Sequence, residues 1–208
     1  MNAGKSTSLL QSNHNYEVRG LKTYLFTPKV DAELHNGSIH SRLGLEKKAH
    51  AFSEIFNFKN FFLDKSEEKI SCILVDEAQF LTLSQVKELC FVCDKYNIPV
   101  MCYGIRTDFR GELFSGSSAL LAYADNLVEL KTICEYKNCS RKATLIARYL
   151  DGKLITEGEQ VVIGGDKYKV YCRKHFRKLT GLIKTNKPAT KPVRQEASVA
   201  PIRAFTET

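Results

Sequence analysis

Three residues into the chain, Gly4-Lys5-Ser6 is followed by a helix-forming run, and no other feature constrains the fold so tightly. Gly-Lys-Ser closes the pattern G-x-x-x-x-G-K-[ST]. In that pattern backbone N–H groups cradle phosphates, the lysine reaches the β/γ-phosphates and the hydroxyl goes to Mg²⁺. Such a loop joins a buried strand to a helix, so it commits its surroundings to an α/β sheet. The triplet alone is weak, because at average composition it arises in roughly one chain in ten of this length. It needs a partner: an acidic residue at the end of another strand, placed to hold the metal.

That partner stands about seventy residues downstream, in Cys72-Ile73-Leu74-Val75-Asp76-Glu77. Four mostly apolar residues closing in two carboxylates fit a strand buried on both faces, with Asp76 projecting from its carboxyl end beside the phosphates. Asp76 suits Mg²⁺. Glu77, one residue into the turn, suits a general base that takes a proton from a hydroxyl. By itself the pair reads better as an ordinary surface turn. Joined to Gly4-Lys5-Ser6 across a strand–helix pattern, it reads as a nucleotide site.

The 208 residues suffice for one domain, or one domain with a small module, and 43% hydrophobic content supports a real core. No apolar run is long enough to span a bilayer, and no secretory leader is visible, so a cytoplasmic location is expected. Seven cysteines, an odd count without an export signal, favour reduced thiols or metal ligands over disulfides. The net charge of +8 is unevenly placed: residues 173–208 hold nine Lys/Arg against two Glu, leaving +1 for the first 172. A near-neutral folded part argues against a nucleic-acid groove. The stretch from about Thr185, with Pro188, Pro192 and Pro201, reads as a disordered basic tail.

Along the chain, Ser6 to about Val18 reads as a helix stopped by Gly20, and Lys22–Thr27 as a strand ending at Pro28. Residues 31–45 are polar with an Asn36-Gly37-Ser38 turn, and are expected to form a mobile loop. Phe52, Phe56, Phe58, Phe61 and Phe62 suggest a packed helical stretch serving the core. Ile70–Val75, Ile98–Tyr103 and Asn126–Leu130 read as buried strands. Thr82-Leu83-Ser84-Gln85 has capping-box spacing before a helix over about 84–96. Strands alternating with helices predict a mostly parallel sheet flanked by helices. From Thr144 short strands and turns take over, with Asp151-Gly152 as a hairpin turn.

Cys134, Cys139, Cys172 and His175 form the second constellation. Both pair spacings suit tetrahedral zinc, and a Cys₃His set leaves no open position, so such a metal is structural. The alternative is four unrelated residues. Cys72, Cys90, Cys93 and Cys102 lie on apolar faces and read as packing residues; Cys90-x-x-Cys93 is mid-helix, which disfavours a redox motif. Val161-Val162-Ile163-Gly164-Gly165 lets backbone approach a ligand, although taken alone it reads as a hairpin turn.

Together these blocks resemble the zinc-containing, type II family of thymidine kinases, in its bacterial and phage branch. The resemblance runs to about residue 180. It is carried by Met-Asn-Ala-Gly-Lys-Ser-Thr at 1–7, Leu-Val-Asp-Glu-Ala-Gln-Phe-Leu at 74–81, and Cys-Tyr-Gly-Ile-Arg-Thr-Asp-Phe-Arg-Gly-Glu-Leu-Phe at 102–114. Val-Glu-Leu-Lys-Thr-Ile-Cys at 128–134, Glu-Gly-Glu-Gln-Val-Val-Ile-Gly-Gly at 157–165 and Cys-Arg-Lys-His at 172–175 complete it. It implies a RecA-like P-loop domain over 1–131, a zinc-binding lasso domain over 132–180 and the tail over 181–208. It implies transfer of the γ-phosphate of ATP, with Mg²⁺, to the 5′-hydroxyl of thymidine, Glu77 acting as base. Met1, Asn2, Ala3, Gly4, Lys5, Ser6, Thr7, Asp76 and Gln79 would serve ATP, with Ser6 and Asp76 at Mg²⁺. Phe80, Phe109 and Phe114 would wall the nucleoside pocket, Met1 would meet the thymine methyl, and Val162, Gly164, Gly165 and Tyr168 would close over it. Structural Zn²⁺, a homotetramer and feedback inhibition by the triphosphate product are implied as well, with no membrane and no specific nucleic acid as partner.

Two departures from the family pattern stand out. Asp31-Ala32-Glu33 puts Glu where the family's loop has Arg, and a carboxylate cannot replace a phosphate-facing guanidinium; Arg42 is a candidate stand-in. The family's first strand, expected at the centre of the sheet, would lie before Met1. A chain without it is expected to fold poorly or act weakly, which favours an internal start or a partial sequence. Two other readings remain: a zinc-containing P-loop ATPase acting on nucleic acid, and an inactive nucleotide-binding relative.

Overall fold

The computed structural model describes residues 3–162 and 167–181. Helix α1 (Lys5–Glu17) starts at Gly4, whose φ of 74° is the left-handed conformation glycine adopts freely. Strand β1 (Lys22–Pro28) follows, then helix α2 (Lys29–Leu34), strands β2 (Ser38–His40), β3 (Glu46–Lys48) and β4 (His50–Phe52), and helix α3 (Phe58–Leu63). Next come β5 (Ile70–Val75), a single 3₁₀ turn (Ala78–Phe80), α4 (Leu83–Tyr96), β6 (Val100–Cys102) and α5 (Ser115–Tyr123). Strands β7 (Leu145–Leu150), β8 (Lys153–Ile155) and β9 (Lys167–Tyr171) precede the last described helix, α6 (Arg173–Thr180). None of the described helices is long and apolar enough to cross a membrane.

The main sheet is parallel, in the order β4-β1-β5-β6. The two-residue side-chain period of its central strands sorts the core into two layers. Tyr24, Phe26, Ile73 and Val75 face the layer under α3 and α4, where Phe52, Phe58, Phe62, Val86, Leu89 and Val92 are buried. Leu25, Cys72 and Leu74 face Leu9 and Leu10 of α1 and Ile39 of β2. The phenylalanine run is therefore core, as its spacing suggested, although only Phe58, Phe61 and Phe62 are helical. Helix α4 carries both halves of its capping box: Thr82 accepts from the Gln85 N–H, and the Gln85 side chain accepts from the Thr82 N–H.

Three expectations need correction. Residues 31–45 are not simply a loop: α2 occupies their start, and β2 pairs antiparallel with β3. The Asn36-Gly37 turn is present, both residues having positive φ, but it joins α2 to β2. Ile98–Tyr103 shortens to Val100–Cys102, an edge strand that pairs with β5 alone among the described strands. Asn126–Leu130 is no strand: a strand exists by pairing, none of the described strands pairs with it, and Leu127 and Val128 are left exposed.

A separate three-stranded sheet is antiparallel, ordered β8-β7-β9. Asp151 and Gly152, with φ of 48° and 79°, make the two-residue turn between β7 and β8, as their sequence demands. The basic tail beyond Gly181 lies outside the described residues.

Candidate active site

Parallel pairing of β1 and β5 brings their carboxyl ends side by side, with the start of α1 above them. Ser6 Oγ donates to Asp76 Oδ2 at 2.7 Å, and Lys5 Nζ reaches Glu77 Oε1 at 2.8 Å. Gln79 donates to the other Glu77 oxygen, while its own carbonyl oxygen accepts from the Ile105 N–H at 3.1 Å. Glu77 has φ 46° and ψ 43°, a conformation uncommon outside glycine, and its N–H donates to Asp76 Oδ1 at 3.0 Å. Behind it the turn is packed tight: a Cβ on Gly116 of α5 would lie 2.6–2.8 Å from the carbonyl oxygens of Leu81, Ala78 and Gln79.

The charges interlock. Burial alone would push Glu77 up, but the Lys5 charge and the hydrogen bonds from Gln79 and Lys5 outweigh it and hold the carboxyl below its usual range. Burial opposes the charge on Lys5 too, yet Glu77 and Asp76 raise it. Asp76 is shifted up by burial and by Glu77. Asp31, which faces the same pair, is pushed from 3.8 to about 6 by burial and then by Glu77 and Asp76.

These groups line a cavity of about 360 Å³, in the range of small-molecule sites. Of the residues singled out from sequence, the cavity gathers Lys5, Ser6, Asp76, Glu77, Gln79, Phe80, Phe109, Phe114, Val162 and Tyr168. Phe80 and Phe114 meet edge to face, with ring centroids 6.0 Å apart. Ala3, Gly4 and Thr7 are not among the lining residues. Met1, Asn2, Gly164 and Gly165 lie outside the described residues.

Sequence reading missed Asp108 and Gln160. Buried Asp108 accepts from the backbone N–H groups of Arg110 and Glu112, from the Arg110 guanidinium, and from Gln160 Nε2 at 3.1 Å. Burial raises it, but those bonds prevail and hold it low. Its bond with Gln160 ties the segment after β8 to the cavity wall. Arg148 of β7 adds a second tie, its guanidinium 3.9 Å from the Phe109 ring centre. No pattern announced these pairings, because their partners lie tens of residues apart. Also missed were Asp31, His35 and His40, which sit in the segment taken for a loop.

Cys134, Cys139, Cys172 and His175 converge as their spacing suggested, with ligand atoms all within 4.8 Å of one another. Cys134 Sγ and Cys172 Sγ each lie 3.5 Å from His175 Nδ1. Zinc bonds of about 2.3 Å to sulfur and 2.0–2.1 Å to nitrogen, at tetrahedral angles, require an S···N edge of about 3.5 Å. Donor set and spacing therefore both fit zinc. The Tyr136 ring stacks on His175 with centroids 4.0 Å apart and fixes the imidazole plane. Burial, then the nearby Lys174, Arg141 and Lys178 charges, lower the His175 pKa toward the neutral form that ligates.

The sequence matches the family model for thymidine kinase over residues 1–176. Among curated relatives, a thymidine kinase of Shewanella oneidensis is 54% identical over 181 residues, spanning 85% of this chain and 92% of the relative. A thymidine kinase of Colwellia psychrerythraea is 52% identical over 185 residues, spanning 88% and 95%. One of Photorhabdus laumondii is 51% identical over 179 residues, spanning 85% and 88%.

Proposed function

The chain belongs to the thymidine kinase family, and on that premise we propose that it transfers the γ-phosphate of ATP to the 5′-hydroxyl of thymidine with Glu77 as the base. The carrying observation is the half-buried Glu77 carboxylate at the junction of the Lys5–Ser6 loop and the aromatic cavity. In the transfer, the O5′–H bond breaks and its proton goes to Glu77. The O5′–P bond forms as the bond from phosphorus to the β-phosphate bridging oxygen breaks, and ADP leaves. Gln79, anchored by the Ile105 N–H, keeps the Glu77 oxygens oriented. Lys5 exchanges its ion pair with Glu77 for the donor phosphates. That exchange removes the charge that depresses Glu77 and makes it a stronger base once the donor has arrived.

Ser6 and Asp76 offer the hard oxygen donors that Mg²⁺ takes, and the 2.7 Å contact between them puts both at one point. When bound, Mg²⁺ neutralises charge developing on the phosphates. Phe80, Phe109 and Phe114 supply apolar wall for a thymine ring, with Val162 and Tyr168 closing from the cysteine module. The thiol–imidazole cluster would hold Zn²⁺ as a clamp for that closing segment. Within this reading residues 1–131 serve the donor, 132–180 form the lid, 181–208 are a tail, and the enzyme is a cytoplasmic homotetramer.

The test is Glu77→Gln, which keeps size and hydrogen bonding but cannot accept a proton. Turnover of labelled thymidine should fall about 10²–10⁴-fold with ATP affinity largely kept. Unchanged turnover would remove Glu77 from the role, and phosphorylation of no nucleoside by the unaltered protein would refute the reading itself.

A further inference from the structure

The two faces of β7 meet different surroundings. With the two-residue alternation of a strand, Leu145, Ala147 and Tyr149 pack into the core around the thiol–imidazole cluster, and Ile146 and Arg148 take the opposite face. Ile146 lines the cavity. Arg148, paired across the sheet with Tyr168, is only 5% exposed. Its guanidinium lies 3.9 Å from the centre of the Phe109 ring, which is itself buried in the cavity wall. The same guanidinium donates to the carbonyl oxygen of Glu159 at 2.7 Å and to that of Glu157 at 3.4 Å.

The segment that receives those bonds has little else to hold it. Residues 157–159 are exposed, and among the described residues no backbone-to-backbone hydrogen bond joins 157–162 to the rest of the chain. Side chains do so instead: Arg148 at Glu157 and Glu159, and Gln160 at Asp108, 3.1 Å away. The turn is also fitted to the guanidinium. A Cβ on Gly158 would lie 3.1 Å from a terminal nitrogen of Arg148, and Gly158 has a φ of 115°, which residues with a side chain rarely adopt. Val162, at the end of this segment, lines the cavity.

We infer that Arg148 is a positioning residue for the nucleoside: it bridges Phe109 and the 157–162 segment, and so sets affinity for the acceptor rather than for the donor. The inference rests on the kinase reading above, which makes Phe109 and Val162 part of the acceptor wall. The side chain suits the task. A planar guanidinium offers its face to an aromatic ring and its edge to two carbonyl oxygens at once, which a lysine ammonium cannot do. Burying a charge is costly unless it is hydrogen-bonded, which favours keeping the 157–159 carbonyls in place over it. Lys5, Ser6 and Asp76, by contrast, are set by α1 and the parallel sheet.

The experiment compares the unaltered full chain with Arg148→Lys, Gly158→Ala and Gly152→Ala in two measurements. The first is steady-state phosphorylation of labelled thymidine. Arg148→Lys should raise the thymidine KM about tenfold, the scale of one lost hydrogen bond to a charged group, and leave the ATP KM within about twofold. Gly158→Ala should act in the same direction. The double variant should lose less than the product of the two, because both disturb one contact. Gly152→Ala, strained at its own positive φ but clear of Arg148, should leave the thymidine KM unchanged. The second measurement is cleavage after Glu157 and Glu159 by a glutamate-specific protease, without nucleotides. Arg148→Lys and Gly158→Ala should speed it, and Gly152→Ala should not. An unchanged thymidine KM, equal rises in both KM values, or cleavage no faster than in Gly152→Ala overturns the inference. If the unaltered chain phosphorylates no thymidine, the kinase reading fails and the nucleoside role with it, while the cleavage rates still decide whether Arg148 holds the segment.

Discussion

Phe26, Phe52, Phe58 and Phe62 are at most 2% exposed under the parallel sheet, whereas the three-stranded module buries a single phenylalanine, Phe176, to that degree and closes around three thiols and an imidazole. The first region can hold its shape by apolar area alone: each buried phenylalanine contributes about 1.5–3 kcal/mol, and both sheet faces are covered. The second has a smaller apolar cluster, so we expect its order to depend on a ligand. The contrast matters because the cavity is shared. Its Lys5, Asp76 and Glu77 wall belongs to the first region, and Gln160, Val162 and Tyr168 line it from the second.

Withdrawing metal should break this contrast most visibly. Structural zinc in such clusters binds with about 10–16 kcal/mol, more than a small module's whole stability. With a strong chelator at pH 7, amide hydrogens of β7, β9 and α6 should exchange rapidly while those of β1, β5 and α4 stay protected. Equal protection in both regions would show that the module stands without metal. A smaller effect is expected from Gly116→Ala. Its new methyl meets three carbonyl oxygens of the turn behind Glu77, so we expect a loss of about 1–3 kcal/mol in denaturant melts and a drop in turnover larger than that in substrate affinity. Asp31→Asn should do least and with opposite sign. The folded state holds the Asp31 proton more tightly than the unfolded chain does, so stability falls as pH rises from about 4 to about 6. Removing the carboxyl should add about 1 kcal/mol at pH 8, after allowing for solvent screening, and nothing at pH 3. A pH-independent effect would place its cause in packing.

Legibility in the sequence followed the same divide between local and distant causes. Cys72–Glu77 showed its strand and its two carboxylates because apolar run and turn are contiguous. Thr82-x-x-Gln85 showed its cap, and Asp151-Gly152 its hairpin, for the same reason. The convergence of Cys134, Cys139, Cys172 and His175 was legible through spacing, since two short pairs carry most of the geometry. Residues 31–45 were not, because α2 and the β2–β3 pair depend on Ile39 packing against α1 and β5 rather than on any periodicity of their own. Asn126–Leu130 misled for the converse reason: its composition suits a strand, but pairing decides, and composition does not report pairing. The Asp108–Gln160 bond spans fifty-two positions and could be found only in three dimensions.

The left-handed backbone at Glu77 has a consequence for anyone altering this protein. A non-glycine residue there stores roughly 1–2 kcal/mol of conformational strain that Glu77→Gly would relieve. Selection for heat resistance alone, without a turnover screen, would therefore be drawn toward a sturdier molecule with the Glu77 carboxylate, the proposed base, deleted.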